Sequence, residues 1–328
     1  MQTSILILGA AGRLGQCLTR TFAAAGWQVI AQARKPLPDE LSKLANVRTL
    51  NCDALDRAAL LKGAQGATVV INALNPPYTE WHQLLLPLAD AAQATAKALG
   101  ALLMLPGNVY NFGSELPSVL TPNTPERANT PKAGLRIEME ARMAAEPGLD
   151  SVVLRAGDFF GGPGTGSWFD LALASKLKSG RFIYPGPLDQ THAWAYLPDL
   201  AECFVRVAEK RSDLSGHHRL HYAGHSVEGR VMQQALEQAW GQPLKTGGLP
   251  WLAIRLGSPF VASWRAIAEM RYLWLRPHRL DDTELRLLIG EPPQTRLVTA
   301  LQDSLVALGM PAAGVAAGSA GATAGATA

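Results

Sequence analysis

Gly9, Gly12 and Gly15 stand three residues apart directly after the apolar run Ser4-Ile5-Leu6-Ile7-Leu8, and Leu14, Leu18 and Phe22 follow at helical spacing. That order predicts strand, turn and helix. Gly9 permits the tight turn, Gly12 lets the main chain approach a pyrophosphate, and Gly15 lets the helix sit against the strand, while the first helical N–H groups face the anion. A second strand, Trp27 to Ala33, closes at Arg34, nineteen residues after Gly15. In this architecture the residue there faces the adenosine ribose. An acid suits NAD and a cation suits the 2′-phosphate of NADP. Arg34 is the cation, with Lys35 and Arg13 as helpers, against the alternative of a solvated basic strand end.

The elements that must hold this turn follow in alternation. Short apolar strands are expected at Val47–Leu50, Ala67–Asn72, Ala101–Leu105 and Ser151–Arg155, separated by helices at about Asp56–Lys62, Thr79–Leu99 and Lys132–Ala145. Apolar strands alternating with helices imply a parallel sheet buried on both faces, a doubly wound Rossmann-type α/β fold. A proline-rich loop spans Pro106 to Pro131, and a glycine-rich loop, Gly157 to Gly166, should lie at the carboxyl edge of the sheet. Beyond it the alternation loosens. We expect residues 1–165 to form the nucleotide domain, with 193–211 returning to it. A smaller, mainly helical substrate domain would comprise 166–192 and 212–310, and the Ala/Gly/Ser/Thr stretch 311–328 would be a disordered tail.

Composition narrows the classes. With 48% hydrophobic and 17% charged residues the chain describes an ordinary folded protein, and its net charge of +3 is scattered, giving no footprint for nucleic acid. Cys17, Cys52 and Cys203 lie far apart, which suits a reducing compartment. The first strand starts within four residues of Met1, so no signal peptide and a cytoplasmic location are expected. The Trp- and Leu-rich interval Leu249–Leu275 is interrupted by Arg255, Arg265, Glu269 and Arg271 too often to span a membrane. It is open to a core, a homodimer or a monotopic membrane reading. His217, His218, His221 and His225 cluster in sequence, but on a strand they split between faces, so no metal site is expected. No Gly-x-Ser-x-Gly elbow follows a strand, which argues against a serine hydrolase.

These parts, in order over roughly residues 3 to 305, resemble the extended, atypical short-chain dehydrogenase/reductase superfamily, in its NAD(P)-dependent epimerase/dehydratase group. Gly9-Ala10-Ala11-Gly12-Arg13-Leu14-Gly15 is similar to the cofactor loop. The resemblance implies that Asp53 meets the adenine amino group and that Asn72-Ala73-Leu74 lines the cofactor. Asn108-Val109-Tyr110, Arg155-Ala156-Gly157-Asp158-Phe159-Phe160-Gly161 and Ala195-Tyr196-Leu197-Pro198-Asp199-Leu200-Ala201 resemble further family elements.

The acid/base set departs from the family. Its members use a Tyr whose pKa is lowered by a Lys four residues on, and no tyrosine of this chain has that Lys. Anchored on Glu140, the two positions hold Lys132 and Arg136, and the hydroxyl position after the fifth strand falls at Pro106 or Gly107. Tyr110, Lys132 and Asp158 are then the candidates for a relocated proton donor. Their plainer roles are packing, an exposed helix-start lysine and a loop cap. The expected function is an NADP(H)-dependent oxidoreductase acting on a small carbonyl or hydroxyl compound. The alternative is a catalytically silent NADP(H)-binding sensor, and sugar-nucleotide epimerisation ranks below both. Arg155, Arg181 and Arg230 are the cations weighed for a diphosphate-bearing substrate.

Overall fold

The computed structural model describes residues 3–310, so the tail expected at 311–328 lies outside the described residues. The chain opens with β1 (Ser4–Leu8), α1 (Arg13–Ala24), β2 (Gln28–Gln32), α2 (Asp39–Ser42), β3 (Val47–Leu50), α3 (Arg57–Gly63) and β4 (Val69–Asn72). It continues through α4 (Trp81–Leu99), β5 (Leu102–Gly107), β6 (Val119–Leu120), α5 (Pro131–Ala145), β7 (Ser151–Arg155), β8 (Asp158–Phe160), β9 (Arg181–Tyr184), β10 (Thr191–Tyr196) and α6 (Leu197–Glu209). Then come β11 (His217–His221), β12 (His225–Glu228), α7 (Gly229–Trp240), β13 (Lys245–Gly248), α8 (Trp251–Gly257), α9 (Ala262–Glu269), α10 (Tyr272–Leu275), β14 (Arg279–Leu280), α11 (Thr283–Ile289) and α12 (Leu297–Ala307).

Seven of these strands form one parallel sheet in the order β11-β7-β5-β4-β1-β2-β3. Strand β1 shows why both faces are covered. Ile5 and Ile7 enter the cluster with Leu18 and Phe22 of α1 and Leu200 and Phe204 of α6, while Leu6 and Leu8 enter the opposite cluster with Leu85 and Ala89 of α4. Side chains alternate across a strand, so an all-apolar strand needs helices on either side.

The second part of the chain is built from a three-stranded sheet, β12-β10-β8, a two-stranded sheet, β13-β9, and the helices from α7 onward. A third core joins them, with Phe160, Phe182, Trp194, Trp274 and Leu301 buried together. One boundary is corrected. Residues 217–221, assigned above to the substrate domain, are the edge strand β11 of the main sheet, pairing in register with β7 from His217 opposite Ser151 to His221 opposite Arg155. The polar side chains of that strand hid its membership, since an edge strand has one neighbour and tolerates polar residues. Between β8 and β9 the chain makes a single wide turn at Phe169–Leu173, ended before Gly180.

Candidate functional site

The glycine turn is built as its spacing requires. Gly9 takes φ +76°, and a Cβ on Gly15 would stand 2.2 Å from the Gly9 carbonyl oxygen, so only glycine fits between α1 and β1. Gly12 caps α1 without a side-chain acceptor and is exposed, leaving the start of the helix open to an anion. Leu14 is buried against the sheet, and Ala11 lies half-buried beside Gly12, its carbonyl accepting from the Gln16 side chain at 2.9 Å. Asn72, Ala73 and Leu74 continue β4 beside the turn. The Ala73 N–H donates to the Leu8 carbonyl, and the Ala73 carbonyl lies 3.1 Å from where a Gly9 Cβ would be. Asn72 Oδ1 accepts from the Leu74 N–H at 3.3 Å. Asp53 is exposed after β3 and accepts from the Leu55 N–H at 2.9 Å. These residues form a cradle that fits a dinucleotide.

Gln32 is a member of this cradle that sequence reasoning missed. Its buried amide accepts from the Gly9 N–H at 3.0 Å and donates to the Cys52 carbonyl at 2.7 Å, tying the turn to the end of β3. A glutamine closing a buried apolar strand was the available signal. Arg34 and Lys35 stand exposed just beyond it, without a partner among the described residues. Arg13 points elsewhere. Its guanidinium donates to the Gly161 carbonyl at 2.8 Å and to Asp170 at 3.3 Å. Burial lowers its pKa, against the raising effect of Asp170. Asp170 also accepts from the Gly166 and Ser167 N–H groups, so Arg13 straps the 161–170 loop to the glycine turn.

The proton-handling candidates meet at the carboxyl ends of β4, β5 and β7, and Tyr78 is their hub. The Tyr110 hydroxyl, buried at the end of β5, lies 2.8 Å from the Tyr78 hydroxyl. The Lys132 ammonium sits 5.1 Å above the Tyr78 ring. Burial raises the pKa of both phenols, and the Asp158 charge raises them further. Asp158 itself bonds His192 Nε2 at 2.8 Å, and the His192 ring stacks on Trp274 at 4.3 Å. Sequence reasoning tested Tyr78 only for a lysine four residues on. Its place directly after β4, behind Pro76-Pro77, was the stronger signal.

Lys132, Arg136 and Glu140 lie four residues apart on α5, and so on one face of it. The plainer reading of Lys132 as an exposed lysine is corrected: it is buried and paired with Glu269 of α9 at 2.5 Å. Arg136 stacks 5.0 Å over Trp81 and donates to the Pro106 carbonyl at 3.3 Å; burial lowers its pKa. Glu140 is fully buried against Arg155 at 2.6 Å. Arg155 also donates to the Asn108 carbonyl and reaches Glu126, so its side chain is consumed inside the fold and is not available to a diphosphate. Gly107 has no room for the hydroxyl-bearing residue its position suggests, because a Cβ there would lie 2.8 Å from Val153.

Three of the four clustered histidines bond the backbone or a neighbouring hydroxyl. His217 bonds Ser151 Oγ, His218 the Ser215 carbonyl and His221 the Leu120 carbonyl. Among the described residues no group of three or more His, Cys, Asp or Glu could hold a metal ion, and no helix is long and apolar enough to cross a membrane.

Solved structures share this architecture. The chain is similar to UDP-glucose 4-epimerase from Bifidobacterium longum in complex with NAD+ and UDP, with TM-score 0.72 and 17% identity over 92% of this chain and 97% of that one. UDP-glucose 4-epimerase from Stenotrophomonas maltophila, with bound NAD and formylated UDP-arabinopyranose, gives TM-score 0.74 at 15% identity over 92% and 97%. WbmH from Bordetella bronchiseptica, in complex with NAD+, gives 0.73 at 14% over 94% and 98%. Identities this low establish the fold alone. No match was found among curated proteins. The profile of the NAD dependent epimerase/dehydratase family matches residues 5–220, about two thirds of the sequence and the whole of the seven-stranded sheet but for Ser4 of β1 and His221 of β11. On that match, and on a glycine turn and parallel sheet that agree with it, this chain belongs to the NAD dependent epimerase/dehydratase family.

Proposed function

We propose that the chain is an NADP(H)-dependent oxidoreductase that interconverts a small carbonyl compound and its alcohol, with Tyr110 in place of the family's usual proton donor. The observation that carries this reading is the Tyr110–Tyr78 hydroxyl pair, 2.8 Å apart at the edge of the sheet that follows the glycine cradle. A bound nicotinamide would supply the hydride or accept it. The protein's part is then the proton. Burial keeps Tyr110 protonated, so it can donate to a carbonyl oxygen as that oxygen gains charge. Tyr78, hydrogen-bonded to the Tyr110 hydroxyl, would hand it a replacement proton. Lys132 over the Tyr78 ring and Asp158 beside both phenols set the local field.

Gly9, Ala11, Gly12, Leu14 and Gly15 would hold the pyrophosphate, with Asn72, Ala73 and Leu74 along the cofactor, Asp53 at the adenine and Arg13 closing the 161–170 loop. The unpartnered Arg34, with Lys35, supports NADP over NAD. Sugar-nucleotide epimerisation ranks lower, because Lys132 and Arg136 occupy the Tyr and Lys positions and Arg155 is sealed. A reducing, cytoplasmic setting agrees with three unbridged cysteines.

One observation favours the catalytically silent sensor. Both cations of the altered α5 face already have structural partners, Glu269 and the Pro106 carbonyl. Calorimetric titration with NADPH and NADH, followed by a carbonyl screen read by loss of reduced-nicotinamide absorbance, separates the readings. Binding with oxidation by some carbonyl supports the enzyme, binding without any oxidation supports the sensor, and no binding overturns both.

A further inference from the structure

Five of the twelve exposed large apolar side chains among the described residues lie on one helical hairpin, α8–α9 and its turn: Leu252, Leu256, Phe260, Val261 and Trp264. Phe260 is 88% exposed, and Leu252 and Leu256 each about two thirds. Such a concentration marks an interaction surface, whereas single exposed apolar residues need no explanation.

The hairpin is a folded element. Leu252, Arg255 and Leu256 share the outer face of α8, while Ile254 is buried and the Trp251 indole donates to the Pro185 carbonyl at 2.6 Å. Its turn is closed by the Phe260 and Val261 N–H groups, both donating to the Gly257 carbonyl. Gly257 admits the Trp264 ring so closely that a Cβ would lie 2.4 Å from it. Arg265 reaches back to the Ser258 and Pro259 carbonyls.

Charge identifies the occupant. Between Leu249 and Leu280 the sequence holds five arginines, Arg255, Arg265, Arg271, Arg276 and Arg279, and one acid, Glu269. Glu269 is spent on Lys132. None of the five arginines forms an ion pair among the described residues, Asp281 lies near Arg279 alone, and Arg271 lies over the Trp251 ring. A two-fold contact between copies sets the same patch against itself, so it would bring arginines towards arginines with no acid between them. Lipid phosphates supply the missing anions, and Trp, Phe and Leu among basic residues is the composition of an interfacial helix.

We propose that the α8–α9 hairpin docks on the surface of an anionic bilayer, with Leu252, Leu256, Phe260 and Trp264 at the acyl boundary and the arginines at the phosphates. It lies on the membrane and does not span it, since neither helix is long enough to cross. The inner side of the hairpin contributes Glu269 to the Lys132–Tyr78 cluster, so the docked surface and the polar site share one element.

The test is cosedimentation of the full chain with vesicles of phosphatidylcholine alone and of phosphatidylcholine with phosphatidylglycerol. It needs neither cofactor nor turnover, so its result is independent of the proposal above. Binding to the anionic vesicles only, weakened when ionic strength rises from about 0.05 M to about 0.5 M, is expected. Leu256→Asp with Phe260→Asp, both exposed, should lower the bound fraction about tenfold, as should Arg255→Glu with Arg276→Glu, with the circular dichroism melt unchanged. Absence of binding, or equal binding to neutral vesicles, would overturn the proposal. So would a concentration-dependent dimer abolished by Phe260→Asp, which would assign the face to a second copy.

Discussion

Tyr110 and Arg34 bear the most weight at the scale of single residues, and the polar group of each can be removed without emptying a core. Tyr110→Phe keeps the ring among Trp81 and its neighbours and deletes only the hydroxyl shared with Tyr78. Turnover should fall about 100-fold or more with NADPH affinity unchanged, the scale of a lost general acid. An unchanged rate would remove Tyr110 from proton transfer. Arg34→Asp places a negative charge where a 2′-phosphate would sit. NADPH affinity should drop by about 1.5–3 kcal/mol more than NADH affinity in paired titrations. Equal losses would refute the NADP preference. Lys132 is a different case, since its removal would strand Glu269 at 18% exposure and mix a folding defect into any kinetic result.

At the scale of elements, two glycines on helices separate cradle from scaffold. Gly15 opens α1 hard against the Gly9 carbonyl, whereas Gly134 in α5 has open space where a Cβ would go. Gly15→Ala should displace the turn, costing about 1–3 kcal/mol of stability and abolishing the NADPH titration. Gly134→Ala should instead stabilise by up to about 1 kcal/mol, because it relieves the entropy of a helical glycine without a clash. Urea midpoints of the two variants check both signs. The α5 face shows the same logic in its charges. Lys132, Arg136 and Glu140 are each matched by a partner on another element, so this helix now ties α9, β5 and β7 together.

For the molecule as a whole, buried histidines set the response to acid. His278, beneath His192, and His221, under Leu120, are each held neutral by burial, with pKa values lowered from 6.5 to about 3. Both folded values lie below the unfolded value, so below pH 6.5 the unfolded chain takes up protons that the native chain refuses. Their contribution is complete above about pH 6.5 and is lost as pH falls towards about 3, by up to about 1.4 kcal/mol per unit for each histidine. Urea midpoints at about pH 7, 6 and 5 should therefore decline together. A flat series would show that these imidazoles are reached by water in the native state.

Periodicity and glycine spacing by themselves determined the doubly wound sheet and the cofactor turn. The reason is local: an apolar strand entering Gly9, Gly12 and Gly15 has few other ways to fold, and alternating apolar strands and helices must cover two faces. The same locality explains the limits. His217–His221 looked like part of the second region because its polar residues carry no apolar period, and only pairing with β7 revealed an edge strand. Lys132 looked exposed because Glu269, its partner, is 137 residues away. Tyr78 gained its meaning from Tyr110 across a gap of 32 residues, and Arg13 from Asp170 across 157. Burial and partnership between distant residues exist only once the chain has closed, so the tertiary structure alone decided which cations stand free and which are spent within the fold.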